Sequence, residues 1–372
     1  MGCVPSKQRP VSVDAELPRI RSAVSAALAT FLAEQRAVLT DMDPSLGVVA
    51  EEICAVAEGG KRLRPAFAYW GWRGAVEAAP APAEDDAAVL RAVAALELVH
   101  ASALVHDDVM DAAETRRNRP ATHVGFAGRH ADERLDGNAA DFGTGAAILV
   151  GDLALVWSDE LLRRSGISVA ALGRARALWD TMRTEVTAGQ YLDLLRAAGG
   201  LPGVQGALTV ARYKSAGYTV QRPLQLGAAL AGAEAHVSDA LGEIGLPLGE
   251  AFQLRDDVLG VFGDPGVTGK SVDDDLREGK RTLLIALTEA ALDDDDAGRR
   301  LLRAHLGNPD SRSEDLDDLR GLLESTGARA EVEQRITEQT ERARAAIAAA
   351  PLADDARAAL DELAVAATTR TA

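Results

Sequence analysis

The chain has 372 residues, a formal net charge of −17, 47% hydrophobic residues and only 4% aromatic residues. This apolar content is sufficient for a large core, and the acidic balance argues against nucleic acid, whose phosphates are bound by basic surfaces. Alanine and leucine dominate, and apolar residues recur at helical spacing, which predicts an all-α protein. Cys3 and Cys54 provide no disulfide framework and fit a reducing cytoplasm.

We expect residues 1–14 to form a disordered tail, followed by a single helical domain over residues 15–372. The first helix is predicted to begin at Asp14 and to bury one apolar stripe. The longest apolar candidate, Ala146–Trp157, is too short to span a bilayer and is interrupted by Asp152. The sequence therefore predicts no stable membrane insertion.

The first segment with a chemical signature is EGGKRLRP, residues 58–65. Its two glycines permit unusual backbone angles and close approach of a ligand. Lys61, Arg62 and Arg64 then lie at the start of the next predicted helix, where a helix N-terminus favours anions. We expect an anion site here, the alternative being an ordinary glycine turn with solvated basic side chains.

Residues 96–111 form a mostly apolar predicted helix that ends in Asp107, Asp108 and Asp111. At about 100° and 1.5 Å per residue, Asp107 and Asp111 lie one turn apart on nearly the same face. Clustered carboxylates repel each other unless a cation lies between them, and oxygen ligands suit Mg²⁺ shared with a substrate phosphate. The alternative is a solvated acidic helix end.

Three arginines follow the aspartates: Arg116, Arg117 and Arg119. They either pair with the aspartates or bind diphosphate oxygens through bidentate guanidinium bonds. The glycine-rich segment over residues 128–145 is predicted to be a surface loop and a candidate lid.

Helices resume after this segment, and one of them carries the pair Lys214-Ser215. A second aspartate pair, Asp256-Asp257, ends an apolar run in a helix predicted over about Ser238–Val261. Because LVHDDVMD and QLRDDVLG share one design, two such helix ends facing each other across a cavity would hold several Mg²⁺ ions between them.

A loop rich in proline and glycine is predicted after this helix, over residues 263–282. Lys270 and Lys280 within it are candidate phosphate ligands. The chain from Leu283 onward is predicted to form packing helices without a catalytic signature. The sequence contains neither a repeat of solenoid period nor an internal domain linker.

In combination these motifs resemble the trans-isoprenyl diphosphate synthases, or polyprenyl synthetases, and among them the geranylgeranyl diphosphate synthases. The resemblance extends from Gly59 to about Leu287 and rests on five motifs in order: GGKRLRP, DDVMD followed by two arginines, KS, FQLRDD and GK…DDLREGKRT. It implies an all-α bundle around a deep central cavity, the isoprenoid synthase fold, usually in a homodimer.

The reaction implied by the resemblance joins isopentenyl diphosphate head to tail to an allylic diphosphate, either dimethylallyl, geranyl or farnesyl. The product is an all-trans prenyl diphosphate. The cofactor implied is Mg²⁺, with three ions per active site.

The resemblance also implies roles for individual residues. The direct Mg²⁺ ligands would be Asp107, Asp111 and Asp256, with support from Asp108 and Asp257. The ligands of the allylic diphosphate would be Arg116, Lys214 and Lys270. The ligands of isopentenyl diphosphate would be Lys61, Arg64, His100 and Arg117. Gln253 and Ser215 would face the allylic cation, and Lys280 would close the C-terminal lip of the cavity.

One position departs from the family pattern. The third aspartate of the second motif is replaced by Gly260, which weakens the expected metal site on that side. Asp274 and Asp275 are the candidates for a water-mediated contact in its place.

Product length depends on the residues that precede the first aspartate. Ser102 and Ala103, five and four residues before Asp107, are small, and Val99 and Leu96 lie further up the helix. If these residues form the cavity floor, the product is longer than farnesyl, and we hypothesise geranylgeranyl (C20), with C25 or longer left open. The alternative is that the small residues only pack against another helix.

Two other functions compete with this interpretation. A class I terpene cyclase or a head-to-head synthase would also be helical and use Asp-rich Mg²⁺ sites. GGKRLRP together with His100 and Arg117 favours a synthase, because a second diphosphate has to be held. The second competitor, motivated by Gly260, is a catalytically inactive regulatory partner of an active synthase.

Overall fold

The computed structural model describes residues 13–264, 272–294 and 296–369. Over these residues the chain is helical almost throughout, which confirms the predicted all-α fold class. Lys270, a predicted diphosphate ligand, and residues 1–12 of the predicted tail lie outside the described residues.

The longer elements are helices that pack around one central helix. In chain order they are α1 (Val13–Met42), α2 (Gly47–Ala57), α3 (Leu63–Ala75), α4 (Asp86–Met110), α5 (Thr122–Asp132), α6 (Ala139–Arg164), α7 (Val169–Ala197), α8 (Gly203–Val210), α9 (Arg222–Ala231), α10 (Ala235–Phe262), α11 (Asp274–Arg277), α12 (Leu283–Ala291), α13 (Ala297–His305), α14 (Ser313–Ser325), α15 (Ala328–Ala349) and α16 (Asp354–Thr368). Between α4 and α5 the chain forms a small hairpin of β1 (Thr115–Arg116) and β2 (Arg119–Pro120).

Helix α4 is the central element, and its sequence explains why. Its side chains are apolar on nearly every side, so the helix is stable only when other helices surround it, and it packs against α1, α3 and α6. Asp85 caps its start, because the carboxylate accepts a hydrogen bond from the backbone N–H of Ala88 at 3.0 Å. By length and composition α4 and α6 are both apolar enough to cross a membrane, but 78% of the most apolar window of α4 is buried inside the fold.

A π-helical segment, Ala211–Gln221, joins α8 to α9 in one continuous rod. Such wide turns are rare and frequently occur at functional sites. The segment ends where Pro223, which has no backbone N–H to donate, enters the first turn of α9. The segment carries the predicted Lys214-Ser215 pair, although its π geometry could not be predicted from sequence periodicity.

Two apolar cores meet along α10. The larger core fills the bundle and takes Leu241, Ile244 and Leu248 from the first half of α10. The smaller core lies among α8 and α11–α15 and takes Leu254 and Val258 from its second half. Helix α10 is therefore fixed from both ends, which holds the second aspartate pair rigidly in place.

The prediction of a surface loop and lid over residues 128–145 is wrong. Helix α5 continues to Asp132 and α6 already begins at Ala139. Asn138 caps α6 by accepting a hydrogen bond from the backbone N–H of Ala140 at 2.8 Å. A Cβ atom at Gly143 would lie 2.1 Å from the carbonyl oxygen of His123, so this glycine permits close packing of α6 on α5.

Candidate active site

The site is a cavity of about 760 Å³ bounded by α4, α7, the rod from α8 through the π-helical segment, α10 and the chain from Asp275 to Leu283. Asp107 lies on one side of it, and Asp256 and Asp257 lie on another. The structure therefore brings the two aspartate motifs to one shared space. The other predicted site residues that line this cavity are Lys61, Ala103, Lys214, Ser215, Gln253 and Lys280.

Asp107 is held by two side chains from other helices. Lys214 Nζ donates to its Oδ1 atom at 2.8 Å, and Gln190 Nε2 donates to the same atom at 2.8 Å. Lys214 Nζ also donates to Asp193 Oδ2 at 2.6 Å. Burial opposes ionisation of Asp107, but the charge and hydrogen bond of Lys214 outweigh it, and the pKa of Asp107 lies below its ordinary value.

The negative charge of Asp111 is less well compensated than that of Asp107. Burial, followed by the charge of Asp107, raises the pKa of Asp111 to about 6. Asp111 also caps the C-terminus of α4, where the helix dipole disfavours a negative charge. A carboxylate in this position gains most from a cation placed against it.

Asp108 does not line the cavity: its side chain is only 3% exposed and is paired with Arg116. Arg116 Nε donates to Oδ1 at 2.9 Å, and Nη2 donates to the same oxygen. The β1–β2 hairpin positions the arginine, through a two-residue turn of Arg117 and Asn118 in which both φ angles are positive. Of the alternatives left open for this arginine, pairing with an aspartate is the one observed here.

A cluster of cationic and aromatic side chains lies beside the cavity wall. Arg64 Nη2 donates to the hydroxyl of Tyr218 at 2.7 Å and to Thr219 Oγ1 at 3.1 Å. Its guanidinium also lies 4.4 Å from the centre of the Tyr218 ring, a cation–π contact. His100 Nδ1 lies 3.2 Å from the same hydroxyl. The structure thus joins two predicted ligands, Arg64 and His100, through Tyr218.

Electrostatics keep His100 uncharged within this cluster. Burial, and then the positive charges of Arg64 and Arg117, lower the pKa of His100 well below its ordinary value. Arg117 Nη1 donates to the backbone carbonyl of Glu58 at 2.9 Å, which places the arginine against the glycine turn. A neutral histidine among arginines fits an anion-binding surface.

Arg62, the remaining cation of the GGKRLRP motif, has a structural role. Its Nη1 atom forms a buried ion pair with Glu97 Oε2 at 2.6 Å. Arg62 adopts a left-handed backbone with φ of 52° at the start of α3. The buried pair with Glu97 anchors this turn to α4, so that the turn holds its position next to the cavity.

The second acidic side is built from α10, α11 and the chain that follows α11. Asp257 accepts a hydrogen bond from Gln253 Nε2 at 2.7 Å. Burial, with further contributions from the charges of Asp275 and Asp256, raises the pKa of Asp257 to about 7. Lys280 Nζ is bound between Asp275 Oδ1 at 2.8 Å and Glu278 Oε2 at 2.7 Å.

A comparison with known protein families agrees with this geometry. The model of the family described as polyprenyl synthetase matches residues 48–323. The chain belongs to the polyprenyl synthetase family.

Relatives within the polyprenyl synthetase family differ in the product that their names specify. Geranylfarnesyl diphosphate synthase from Aeropyrum pernix is 33% identical over 304 residues, which cover 80% of this chain and 86% of that protein. (2E,6E)-farnesyl diphosphate synthase from Mycobacterium bovis is 34% identical over 75% of this chain and 72% of that protein. A crystal structure of geranylgeranyl pyrophosphate synthase from Corynebacterium glutamicum, complexed with isoprenyl diphosphate and magnesium, has a TM-score of 0.91 and 40% identity over 95% of this chain and 99% of that chain.

Membership confirms the predicted family, fold and general activity. Polyprenyl synthetases are soluble, Mg²⁺-dependent prenyltransferases that use isoprenyl diphosphate substrates and form trans-prenyl diphosphates. The protein is an enzyme of this class. The relatives leave product length undecided, since their names cover three different chain lengths.

The residues predicted to set product length lie in different environments. Ala103 lines the cavity together with Leu104. Ser102 is only 4% exposed, and Val99 and Leu96 are buried in the larger core. A larger side chain at Ala103 would therefore enter the cavity first.

Some residues of this site were not predicted from the sequence. Gln190 and Asp193 project from α7 toward Asp107 and Lys214, as described above. Polar residues at i and i+3 in an otherwise mixed helix were the available signal, but such pairs are common on solvated faces. Tyr218 follows Lys214 by four residues, and its role depends on the fold of the π-helical segment.

The donor set fits Mg²⁺ that arrives together with a diphosphate. Within residues 13–264, 272–294 and 296–369, no three His, Cys, Asp or Glu side chains are already arranged as a metal cage. Mg²⁺ does not require one, because it is usually held by one or two carboxylates, phosphate oxygens and water. Asp107 and Asp256 supply carboxylates of this kind to the shared cavity, and Asp111 lies one turn beyond Asp107 at the end of α4.

Proposed function

We propose that this protein condenses isopentenyl diphosphate head to tail with an allylic diphosphate and releases geranylgeranyl diphosphate. The observation that carries this proposal is the single cavity that has the two aspartate motifs on its walls and Lys61 and Lys214 beside them. Carboxylates suit metal-bound diphosphate, and the cations suit two diphosphate groups. The small residue Ala103 on the same wall supports a product longer than farnesyl diphosphate.

Three Mg²⁺ ions per site would be held by Asp107 and Asp111 on one side and Asp256 on the other, with Asp108 and Asp257 in support. When bound, Mg²⁺ neutralises charge on the diphosphate and stabilises the additional charge that develops as the diphosphate leaves. The ionised state of Asp107, which Lys214 favours, prepares this side for a cation.

Lys214 is suited to bind the allylic diphosphate together with Arg116 and Lys270. In the structure Lys214 is shared between Asp107 and Asp193, and its three N–H donors allow one to be redirected to a phosphate oxygen. Arg116 would bind the same diphosphate while continuing to hold Asp108. These contacts orient the diphosphate as the leaving group.

Isopentenyl diphosphate would be bound by Lys61, Arg64, His100 and Arg117. Tyr218 orients Arg64 by accepting its hydrogen bond, so that the remaining guanidinium donors are available to phosphate. The neutral His100 donates or accepts a single hydrogen bond without adding charge.

The allylic cation would form between these two binding regions. Apolar side chains on the cavity wall exclude water from it, among them Val186, Leu259 and Leu283. The side-chain oxygens of Gln253 and Ser215 would face the cation and stabilise its positive charge.

Incubation of the pure protein with Mg²⁺, isopentenyl diphosphate and each of the three allylic diphosphates tests the activity. Chain growth with release of diphosphate is the expected result, with C20 as the main product. Hydrocarbon formed from one substrate would identify a terpene cyclase, and joining of two allylic units would identify a head-to-head synthase. Absence of turnover would identify an inactive regulatory partner.

The product-length proposal is tested by Ala103→Phe. The aromatic ring would enter the cavity near Leu104, and we expect the main product to shorten from C20 to C15, as measured by chromatography of the dephosphorylated alcohols. Ala103→Ser is the matched control and should retain the C20 product. If the wild-type enzyme already stops at C15, the proposal that the small residue Ala103 permits a longer product is wrong.

We also propose a cytoplasmic homodimer in which a second copy covers α6. Only 28% of the most apolar window of α6 is buried, and Leu149 and Val156 are 66% and 62% exposed. Contiguous apolar patches of this kind on soluble proteins mark interaction surfaces.

The double variant Leu149→Lys/Val156→Lys should be monomeric in light scattering after gel filtration, whereas Val38→Lys, on α1, should remain dimeric. A monomeric wild type that floats with liposomes would show instead that α6 binds lipid.

A further inference from the structure

Gly260 stands at the position where the family pattern has the third aspartate of the second motif. It lies in α10, one turn beyond Asp256. A Cβ atom built at Gly260 would lie 1.8 Å from Oδ2 of Asp275 and 2.9 Å from its Cγ. The carboxylate of Asp275 therefore occupies the volume in which a side chain at position 260 would begin.

We propose that Asp275 supplies the third carboxylate of the second aspartate motif, in place of the side chain that Gly260 lacks. This inference rests on the proposed function, since it assigns Asp275 to the binding of Mg²⁺ and diphosphate at the same site. Asp275 lines the same cavity as Asp256, Asp257 and Gly260. The carboxylate of Asp275 thus comes from α11 and not from α10, but it lies next to position 260.

The position of Asp275 is fixed by the fold. The next residue, Leu276, is buried in the smaller core. Its carbonyl oxygen accepts a hydrogen bond from the backbone N–H of Gly307 at 2.9 Å, and the carbonyl oxygen of Asp275 accepts one from the backbone N–H of Lys280 at 3.0 Å. Asp275 is therefore presented to α10 by a structured turn and not by a free loop.

The charges around Asp275 also fit a cation-binding role. Asp256, Asp257 and Asp275 line the same cavity, and carboxylates that share a cavity repel each other when they are ionised. Lys280 balances part of this charge through its 2.8 Å contact with Asp275. A divalent cation between these carboxylates would relieve the remaining repulsion.

Glycine at position 260 is explained by the same contact. Glycine destabilises a helix interior relative to alanine, because it loses more conformational freedom on folding. Any Cβ at this position would collide with the Asp275 carboxylate. Gly260 and Asp275 therefore form one unit, and an aspartate at position 260 would displace the carboxylate of Asp275 from its observed place.

An exchange of the two positions tests the proposal in the full-length protein. Binding of inorganic pyrophosphate in the presence of Mg²⁺ is measured by calorimetry for the wild type, Asp275→Asn, Asp275→Ala and Gly260→Asp/Asp275→Ala. We expect Asp275→Asn and Asp275→Ala to weaken binding about 10- to 100-fold, the range for loss of a supporting group at a metal site. The double variant should recover most of this loss.

Asp275→Asn preserves the shape of the side chain, and thermal melting in EDTA verifies that each variant is folded. Asp294→Asn, at a highly exposed position, is the matched control and should bind as the wild type does. The proposal is overturned if Asp275→Asn binds like the wild type, or if the double variant binds no better than Asp275→Ala.

The wild type separates this inference from the proposed function. If the wild type elongates isoprenyl diphosphates but the exchange gives no recovery, only the role of Asp275 fails. If the wild type neither binds pyrophosphate with Mg²⁺ nor elongates a substrate, the proposed function fails and this inference fails with it.

Discussion

The two acidic sides of the cavity present similar carboxylates but are built differently. The first rim, Asp107, Asp108 and Asp111, comes entirely from the C-terminal end of α4. The second rim, Asp256, Asp257 and Asp275, combines two residues of α10 with one from α11, the latter placed against Gly260. On a rim carried by one helix, helical spacing alone brings the carboxylates together. On a composite rim, their positions depend on how two elements pack.

The rims also differ in how their charge is compensated. On the first rim, Lys214 favours the ionised state of Asp107, and Arg116 is paired with Asp108. On the second rim, burial raises the pKa of Asp257 to about 7. At neutral pH the first rim therefore offers a ready carboxylate at Asp107, whereas Asp257 on the second rim is partly protonated.

The largest expected effect is a difference in activity between a variant of the first rim and a variant of the second. We expect Asp107→Asn to lower kcat/KM about 10³-fold and Asp256→Asn about 10²-fold, the range for loss of a group that stabilises developing charge. The first change is larger because it also removes the negative charge that is paired with Lys214. Steady-state kinetics with farnesyl diphosphate as the allylic substrate provide the measurement.

The surface variant Asp294→Asn is the control for this comparison and should retain wild-type kinetics. A larger loss for Asp256→Asn than for Asp107→Asn would reverse the assignment of the stronger rim. Undiminished turnover after both aspartates are changed would remove the basis for Mg²⁺ and diphosphate binding between the rims.

The composition of each rim explains what could be predicted from the sequence. The spacing of Asp107 and Asp111 within one apolar helix was sufficient to place them on one face. Gly260 was interpreted as a weakened site with Asp274 or Asp275 as candidate replacements, and the sequence could not decide between these two because the approach of Asp275 to α10 depends on Leu276 being anchored in the smaller core. The π-helical geometry around Lys214 could not be predicted either, because it depends on packing and not on periodicity.

The glycine-rich segment over residues 128–145 is a second region whose structure could not be predicted from local sequence preferences. Glycines favoured a loop when only local preference was considered. In the fold, Gly143 allows α5 and α6 to approach closely, and the segment is mostly helical. The meaning of a glycine therefore depended on a neighbour that is distant in the sequence.

A second expected effect concerns stability without metal. Lys214→Met would leave Asp107 and Asp193 without their shared cation, and we expect the free energy of unfolding in EDTA to fall by about 2 kcal/mol, since partly buried carboxylates lose their partner. Lys280→Met should cost about 1 kcal/mol, because Lys280 is more exposed than Lys214. Urea titration measures both values, and Lys214→Arg should retain most of the wild-type stability. Equal losses for the two methionine variants would show that the rims do not differ in charge compensation.

The smallest expected effect is a dependence of metal-free stability on pH, to which Asp257 of the second rim contributes more than Asp111 of the first, because burial raises the pKa of Asp257 further. The folded protein retains a proton on Asp257 up to about pH 7, whereas the aspartate of an unfolded chain releases it near 3.8. The stability from this group is therefore complete below about pH 3.8 and is lost as the pH rises through about 7. Asp257→Asn cannot ionise, so between pH 5 and pH 8 in EDTA its unfolding free energy should fall less than that of the wild type, by on the order of 1–2 kcal/mol. Asp294→Asn should follow the wild-type curve. Parallel curves for Asp257→Asn and the wild type would show that the second rim is ionised throughout, as Asp107 is on the first.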